Sequence, residues 1–163
     1  MSERQTQTED ARAPAGAGPL TEMICFDLYA ASRSLIAAYR PLLEPLGLTY
    51  PQYLVMVVLW RQGPSTVRDL VEALRLDYNT ISPLLKRLEA QGLLTRRRRV
   101  DDERTVEIAL TPEGEALEER ANDIPFCVGE AIGLEGEDFA RLQRLLRSVT
   151  ASATAYAAAS QTR

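Results

Sequence analysis

The hydrophobic pattern of this chain changes its period near residue 92, and this change restricts the fold more than any other feature. Before it, in YNTISPLLKRLEAQ, apolar residues recur three and four positions apart, as on a helix with one buried face. These residues are Ile81, Leu84, Leu85 and Leu88. After it, in RTVEIALT, every second residue from Val106 is apolar. With LLTRRRRV and the charged DDE before it, this alternation predicts a β-hairpin with a charged tip directly after a helix.

Two further short helices precede the helix at residues 78–91. TYPQ fits a capping box, in which Thr49 is followed three residues later by Gln52, and the apolar YLVMVVLW forms the body of that helix. Thr66 opens the next helix, again with an acidic residue, Asp69, three positions on. Three short helices followed by a two-stranded hairpin are the elements of a winged helix-turn-helix.

Longer helices are predicted at both ends of this unit. One runs from Thr21, as its N-cap, to Arg40; another is capped by Thr111 and continues up to Pro125; a last one spans about residues 137–159. The last helix has one apolar stripe: Phe139, Leu142, Leu145, Leu146 and Val149. Because a small three-helix core cannot bury these helices, we expect them to pack against the same helices of a second chain, in a homodimer.

The predicted fold is therefore mainly α with a small β-hairpin, a winged helix-turn-helix with N- and C-terminal dimerisation helices. Residues 1–18 are expected to form a disordered tail, and residues 19–48 an N-terminal helix that serves dimerisation and redox chemistry. Residues 49–111 are expected to form the winged helix-turn-helix lobe, and residues 112–163 the C-terminal dimerisation helices.

Composition excludes several kinds of chemistry. The chain has no histidine, which removes imidazole bases and histidine metal ligands. Its two cysteines, Cys25 and Cys127, are 102 positions apart and form no metal-binding spacing. We therefore expect no metal, no cofactor and no enzymatic activity. The polar N-terminal residues contain no apolar leader and the longest apolar run is too short for a bilayer, so a cytoplasmic protein without membrane contact is expected.

A basic cluster lies within a chain whose net charge is −4. Residues 86–104 contain seven basic and four acidic side chains, a local charge of +3. This is either an ordinary solvated hairpin or a wing whose arginines enter the negative minor groove of DNA. The helix before it would read the major groove with Tyr78, Asn79, Thr80, Ser82, Lys86 and Arg87. Pro83 within that helix predicts either a start later than Asp77 or a slight kink.

The stretch LDYNTISPLLKRLEAQGLLTRRRRVDDERTVEIALTPEGEAL resembles the DNA-binding lobe of the MarR family of transcriptional regulators, most specifically in DDER and LTPEG. The likeness covers most of the chain. It implies a homodimeric repressor of pseudopalindromic double-stranded operator DNA, with Asp102 and Arg104 as the wing pair. ICFDLYAASR and YRPLLEPLGLTYPQYLVMVVLW narrow it to OhrR-type sensors of organic hydroperoxides, which typically have Ser and Gly in place of Tyr78 and Asn79.

Cys25 has two interpretations: an inert, buried packing residue, or a reactive thiolate favoured by the start of the first helix. Fourteen helical residues separate it from Tyr39, about 21 Å along the axis, so Tyr39 can serve only the Cys25 of a second chain. The resemblance implies this arrangement, because Tyr39 and Tyr50 match the tyrosines that hold the partner's reactive thiolate. Tyr29 and Phe26 are expected to complete the pocket.

By the same resemblance, Cys127 matches the second cysteine of the two-cysteine OhrR-type sensors. It implies that organic hydroperoxide oxidises Cys25, that Cys127 closes an intersubunit disulfide with it, and that operator DNA is released. One alternative is a MarR-type repressor regulated by non-covalent binding of a small apolar or phenolic ligand. A thiol peroxidase, whose pattern P-x-x-x-T-x-x-C is missing, and a purely structural dimer are the others.

Overall fold

The computed structural model describes residue 20, residues 22–98 and residues 105–160. The predicted tail at 1–18, the predicted cap Thr21, and the wing pair Asp102 and Arg104 lie outside these residues. The chain divides into two units, residues 1–34 and residues 35–163, and each is described by itself.

The described residues are mostly helical, with one small antiparallel sheet. The α-helices are α1 (Ile24–Leu43), α2 (Tyr50–Gln62), α3 (Val67–Leu74), α4 (Tyr78–Ala90), α5 (Pro112–Ala121), α6 (Ile124–Ile132) and α7 (Gly136–Ser160), with a short 3-10 helix at Glu44–Leu46. The strands are β1 (Ser65–Thr66), β2 (Leu94–Arg98) and β3 (Val106–Leu110). The predicted fold class, mainly α with a β-hairpin, is confirmed.

The sheet has the strand order β1-β3-β2, with both pairs antiparallel. The predicted hairpin is its β2-β3 part, in which Leu94 faces Leu110 and Arg98 faces Val106. β1 was not predicted, because a two-residue strand is too short to show an alternating pattern. β1 joins the end of α2 to the hairpin and so fixes the wing against the helical core.

Three predicted caps, Thr49, Thr66 and Thr111, directly precede their helices, whereas α1 begins at Ile24 and so later than predicted. The Oε1 of Gln52 accepts a hydrogen bond from the backbone N–H of Thr49 at 2.9 Å. At the start of α3, the backbone N–H of Thr66 donates to Oδ2 of Asp69 at 2.8 Å, and the backbone N–H of Asp69 donates to Oγ1 of Thr66 at 3.1 Å. Both donors thus have partners. Thr111 accepts from the backbone N–H of Gly114 at 3.1 Å at the start of α5.

Two predicted boundaries next to prolines are wrong. α1 continues past Arg40 and through Pro41 to Leu43, because a proline so near the helix end removes only one hydrogen bond of the last turn. The helix predicted to run up to Pro125 ends instead at Ala121, and Pro125 lies in the first turn of a separate helix, α6. A proline is favoured there, since first-turn N–H groups have no partner within the helix.

A start later than Asp77, one of the two alternatives for the helix that contains Pro83, is borne out by a single residue. α4 begins at Tyr78, directly after its cap Asp77, whose Oδ1 accepts from the backbone N–H of Thr80 at 2.7 Å. The predicted apolar face is confirmed: Ile81, Leu85 and Leu88 are fully buried. They belong to a core that also includes Val55, Met56, Leu59, Leu70, Leu94 and Ile108.

Every residue of the apolar stripe of α7 is exposed. The exposed fraction of the side chains ranges from 37% at Phe139 to 55% at Leu145. An exposed apolar surface of this extent is typical of an interaction site, as predicted for a dimer helix. No single helix among the described residues is long and apolar enough to cross a membrane; residues 24–46 and 50–62 together meet that criterion only as a bent pair, by length and composition.

Candidate DNA-binding and redox sites

The exposed face of α4 carries the side chains predicted to read DNA. Burial of its apolar face turns the opposite side outwards, where five residues are exposed and Ser82 is half-buried. The exposed five are Tyr78, Asn79, Thr80, Lys86 and Arg87. At the helix start, the hydrogen bonds from the backbone and side chain of Thr80 hold the pKa of Asp77 below its usual value. Asp77 therefore remains an ionised cap at neutral pH.

The fold adds two arginines to this surface that the predicted set of DNA contacts omitted. Arg96 of β2 places its Nη1 3.9 Å from Oε2 of Glu89 on α4, and Arg68 lies near the start of α3. Both line an open groove of about 570 Å³, together with Tyr78 and Ser82. Arg96 belongs to the basic run, which is a signal in the sequence. Arg68 gives no such signal, because only the packing of α3 beside α4 brings it there.

Arg87→Gln is expected to weaken binding to all DNA sequences by a similar factor and to make the slope of log K against log salt less negative by about 0.9 per bound chain, or about 1.8 for a homodimer. The physical reason is that an exposed guanidinium on the reading face displaces one counterion from a phosphate. Arg144→Gln, which removes an exposed charge from α7, is the matched control and should keep the wild-type slope. Equal slopes for wild type and Arg87→Gln, measured by titration at several salt concentrations, would show that Arg87 makes no phosphate contact.

A cluster of aromatic rings joins α1 to α2. The rings of Tyr39 and Tyr50 are 4.6 Å apart, centroid to centroid, and that of Tyr53 lies 5.8 Å from Tyr39. Trp60 lies 6.2 Å from Tyr53, and its indole N–H donates to the carbonyl oxygen of Gly114 at 2.9 Å. The structure thus brings together Tyr39 and Tyr50. Tyr53 was missed, although its spacing of three from Tyr50 on one helix could have indicated it.

Burial raises the pKa of Tyr39, Tyr50 and Tyr53, and at Tyr39 the neighbouring phenols raise it further. All three hydroxyls therefore keep their protons at neutral pH and can donate hydrogen bonds to an anion. Tyr50 also lines a cavity of about 500 Å³. Its other walls include the apolar side chains of Ile36, Leu43 and Leu48 and the charged ones of Arg40 and Glu44.

These raised pKa values predict alkaline instability. The folded protein holds the phenol protons more tightly than the unfolded chain, whose phenols titrate near 10.0. The resulting stabilisation is complete below that pH and is lost as the pH rises through the folded-state pKa values. Tyr50→Phe should make the decline in unfolding free energy above about pH 10 shallower, as measured by urea denaturation. Equal profiles for Tyr50→Phe and wild type would contradict this account.

The predicted residues of the first unit lie at the start of α1. Cys25 is the second residue of that helix and is exposed. The interpretation of Cys25 as a buried packing residue therefore does not hold for the single chain. Phe26 and Tyr29 are exposed as well, and the hydroxyl of Tyr29 accepts from Nη1 of Arg33 at 3.0 Å. Asp27 shares the first turn, and its negative charge opposes the helix dipole that favours a thiolate.

Cys127 lies on α6 and is half-buried, and both cysteines are free thiols. The two cysteines belong to different units of the chain. Among the described residues, no group of three or more histidine, cysteine or acidic side chains is arranged to hold a metal ion. The roles of Cys25, Cys127, Tyr29, Tyr39, Tyr50 and Phe26 stay predictions, as do those of the DNA-contacting residues.

A three-helix core with a basic reading helix and a two-stranded wing defines a winged-helix DNA-binding protein, and comparison with known proteins agrees. Residues 37–121 match the family model of the transcriptional regulators SarA/Rot. Over 130 residues the chain is 47% identical to the organic hydroperoxide resistance transcriptional regulator of Bacillus subtilis (strain 168), covering 78% of this chain and 86% of that protein.

Solved structures of AbfR, a protein of Staphylococcus epidermidis, are also similar. Reduced AbfR bound to DNA has a TM-score of 0.69 and 31% identity, over 82% of this chain and 92% of that one. Disulfide-formed AbfR has a TM-score of 0.57 and 35% identity, over 80% and 92%. The chain belongs to the MarR family of transcriptional regulators and is of the OhrR type. It is a DNA-binding transcriptional regulator.

Proposed function

We propose that the protein is a homodimeric repressor that senses organic hydroperoxides through Cys25 and releases its pseudopalindromic operator DNA on oxidation. The observation that carries this proposal is the ring pair of Tyr39 and Tyr50, in a chain 47% identical to an organic hydroperoxide resistance regulator. Two adjacent phenols that keep their protons are suitable hydrogen-bond donors for a thiolate. With no histidine in the chain, no imidazole can take that role.

The proposed site is shared between two chains. Cys25 and Tyr39 are fourteen positions apart on α1, and a helix rises about 1.5 Å per residue, so the tyrosines of one chain serve the thiolate of the other. Residues 19–48 and 112–163 supply the dimer contacts in this proposal. The exposed apolar stripe of α7 supports it, because a dimer would remove that surface from water.

The first chemical step is a two-electron oxidation of the Cys25 thiolate. Its sulfur attacks the terminal oxygen of the hydroperoxide, an S–O bond forms as the O–O bond breaks, and the alkoxide leaves and takes up a proton. The products are a sulfenic acid and an alcohol. In this proposal, hydrogen bonds donated by Tyr39 and Tyr50 of the partner subunit stabilise the thiolate.

The second step closes a disulfide between the subunits. The thiolate of Cys127 attacks the Cys25 sulfur of the other chain, an S–S bond forms as the S–O bond breaks, and the hydroxide that leaves takes up a proton from solvent to give water. A disulfide requires Cα atoms within about 7 Å, so this bond moves the helices that carry the two cysteines. The recognition helices then lose the spacing of about 34 Å that two half-sites require. The existence of AbfR structures in a reduced, DNA-bound form and in a disulfide form supports such a cycle.

A gel shift with and without cumene hydroperoxide tests this function on the full-length protein. Reduced protein should retain operator DNA, oxidised protein should release it, and dithiothreitol should restore binding. Oxidised wild type should run as a covalent dimer on a non-reducing gel, and Cys127→Ser should run as a monomer. Retention of DNA by oxidised wild type would contradict the sensing role, and a covalent dimer of Cys127→Ser would contradict the resolving role.

A second candidate is a repressor controlled by non-covalent binding of a small apolar or phenolic ligand. The cavity of about 500 Å³ favours it, because its apolar walls and Tyr50 suit such a molecule. Release of DNA by a phenolic ligand in Cys25→Ser, with no response of wild type to hydroperoxide, would favour this candidate over the first.

A further inference from the structure

Two glutamine side chains connect the turn before α2 to the end of α4. Gln52 is only 4% exposed, and its Oε1 accepts hydrogen bonds from the backbone N–H and the hydroxyl of Thr49, both at 2.9 Å. Its Nε2 donates to Oε1 of Gln91 at 3.3 Å, and Nε2 of Gln91 donates to the carbonyl oxygen of Gly47 at 3.0 Å. Each amide both accepts and donates, so each hydrogen bond polarises the next.

Both ends of this chain of hydrogen bonds lie on the turn at residues 47–49, and its middle member, Gln91, lies at the end of α4. Gly47 and Thr49 form part of the wall of the 500 Å³ cavity that Tyr50 also lines. Gln91 is the C-cap of α4, and its backbone N–H donates to the carbonyl oxygen of Arg87 at 3.0 Å. The side chains of Gln52 and Gln91 thus connect the cavity wall to the recognition helix through hydrogen bonds.

The burial of Gln52 makes this path sensitive to displacement. A buried amide that loses its partner keeps the cost of desolvation without the hydrogen bond that offset it. Movement of the segment at residues 47–50 therefore either carries α4 with it or breaks the path. In the first case the reading face moves with the cavity wall, and in the second it loses the contact that positions it.

We propose that Gln52 and Gln91 are positioning residues that hold α4 in its DNA-reading orientation in the reduced protein, and that oxidation breaks their contact. This inference rests on the proposed function, because oxidation at the tyrosine-lined site is the event that displaces the cavity wall. Neither glutamine takes part in the redox chemistry; both act through the placement of α4.

Gln91→Met tests the proposal, because it keeps the length of the side chain and removes both of its hydrogen bonds. Gln62→Met, at the exposed end of α2, is the matched control. The dissociation constant for operator DNA is measured by fluorescence anisotropy on reduced and on cumene hydroperoxide-oxidised full-length protein. We expect Gln91→Met to weaken reduced-state binding about tenfold and to leave oxidised-state binding unchanged, so that the ratio of the two constants falls about tenfold. Gln62→Met should keep the wild-type ratio.

Gln91→Glu is a second variant, which keeps the acceptor for Gln52 but cannot donate to Gly47, and its ratio should also fall. If Gln91→Met does not fold, the ratio of the two dissociation constants of Gln91→Glu tests the inference in its place. A lower melting temperature with a wild-type ratio indicates a merely structural role and overturns the inference. If oxidised wild type releases DNA and both Gln91 variants have the wild-type ratio of dissociation constants, the inference is contradicted but the proposed function is not. Wild type that holds DNA after oxidation contradicts the proposed function, and the inference with it.

Discussion

Cys25→Ser should bind operator DNA within about twofold of wild type when reduced, and should not release it on addition of cumene hydroperoxide. Binding should be preserved because Cys25 lies on α1 and not on the DNA-reading helix α4, and serine has nearly the same shape as cysteine. Release should be lost because the serine hydroxyl stays protonated at neutral pH and cannot be oxidised by a peroxide. Wild type, by contrast, should lose affinity by a factor of up to about 150, the upper range of allosteric coupling.

Fluorescence anisotropy with labelled operator measures both quantities, and Cys127→Ser is the matched cysteine variant. It retains Cys25 and should still form the sulfenic acid, which a dimedone adduct at Cys25 would report by mass spectrometry. Release of DNA by oxidised Cys25→Ser would exclude Cys25 as the sensor. A dimedone adduct at Cys127 but not at Cys25 in the wild type would show that Cys127 is the cysteine that the peroxide oxidises and would contradict the assignment of Cys25.

Gly114→Ala should have the largest effect on stability of any conservative substitution considered. Gly114 is buried in the first turn of α5, and an added Cβ would overlap the carbonyl oxygen of Leu93 and lie 3.2 Å from Cδ2 of Leu110. The backbone cannot easily move aside, since Thr111 N–H donates to the Leu93 oxygen at 3.1 Å and Trp60 donates to the Gly114 oxygen. We expect a loss of about 3 kcal/mol in the free energy of unfolding.

Gly129→Ala is the control, since an added Cβ at Gly129 on α6 meets no atom within 4 Å. Alanine should there be neutral or stabilising by up to about 1 kcal/mol, from its higher helix propensity. Urea denaturation of the reduced proteins at one fixed concentration compares the variants, because the stability of a dimer depends on concentration. Equal stability of Gly114→Ala and wild type would mean that α5 does not approach Leu93 as described.

The parts of the fold that could be predicted from the sequence are those fixed by neighbouring residues. The caps at Thr66 and Thr111 and the buried face of α4 depend on spacings of three and four residues along one chain segment. Pro125 misled the prediction because proline breaks a helix in its interior but favours its first turn, and only tertiary packing decides between the two. β1 had no detectable pattern at all, because its two residues pair with a strand about 40 positions later.

The candidate site was predictable in its residue types but not in its geometry. The resemblance pointed to Tyr39 and Tyr50, yet their 4.6 Å approach depends on how the end of α1 packs against α2. The contact of Tyr53 with Tyr39 depends on the same packing, and the glutamine contact depends on how α2 packs beside the end of α4. Arg68 likewise joined the basic surface only through the placement of α3.

The central claim is that the thiolate of one chain is held by the tyrosines of the other, and a mixed dimer tests it most directly. One chain carries Cys25→Ser and the other carries Tyr39→Phe, so each dimer retains one Cys25. In a site shared between chains, that cysteine meets an intact Tyr39 and should react with cumene hydroperoxide at the wild-type rate per thiol. Reaction at the slower rate of the Tyr39→Phe homodimer would instead place Cys25 and Tyr39 of the same chain in one site and contradict the account.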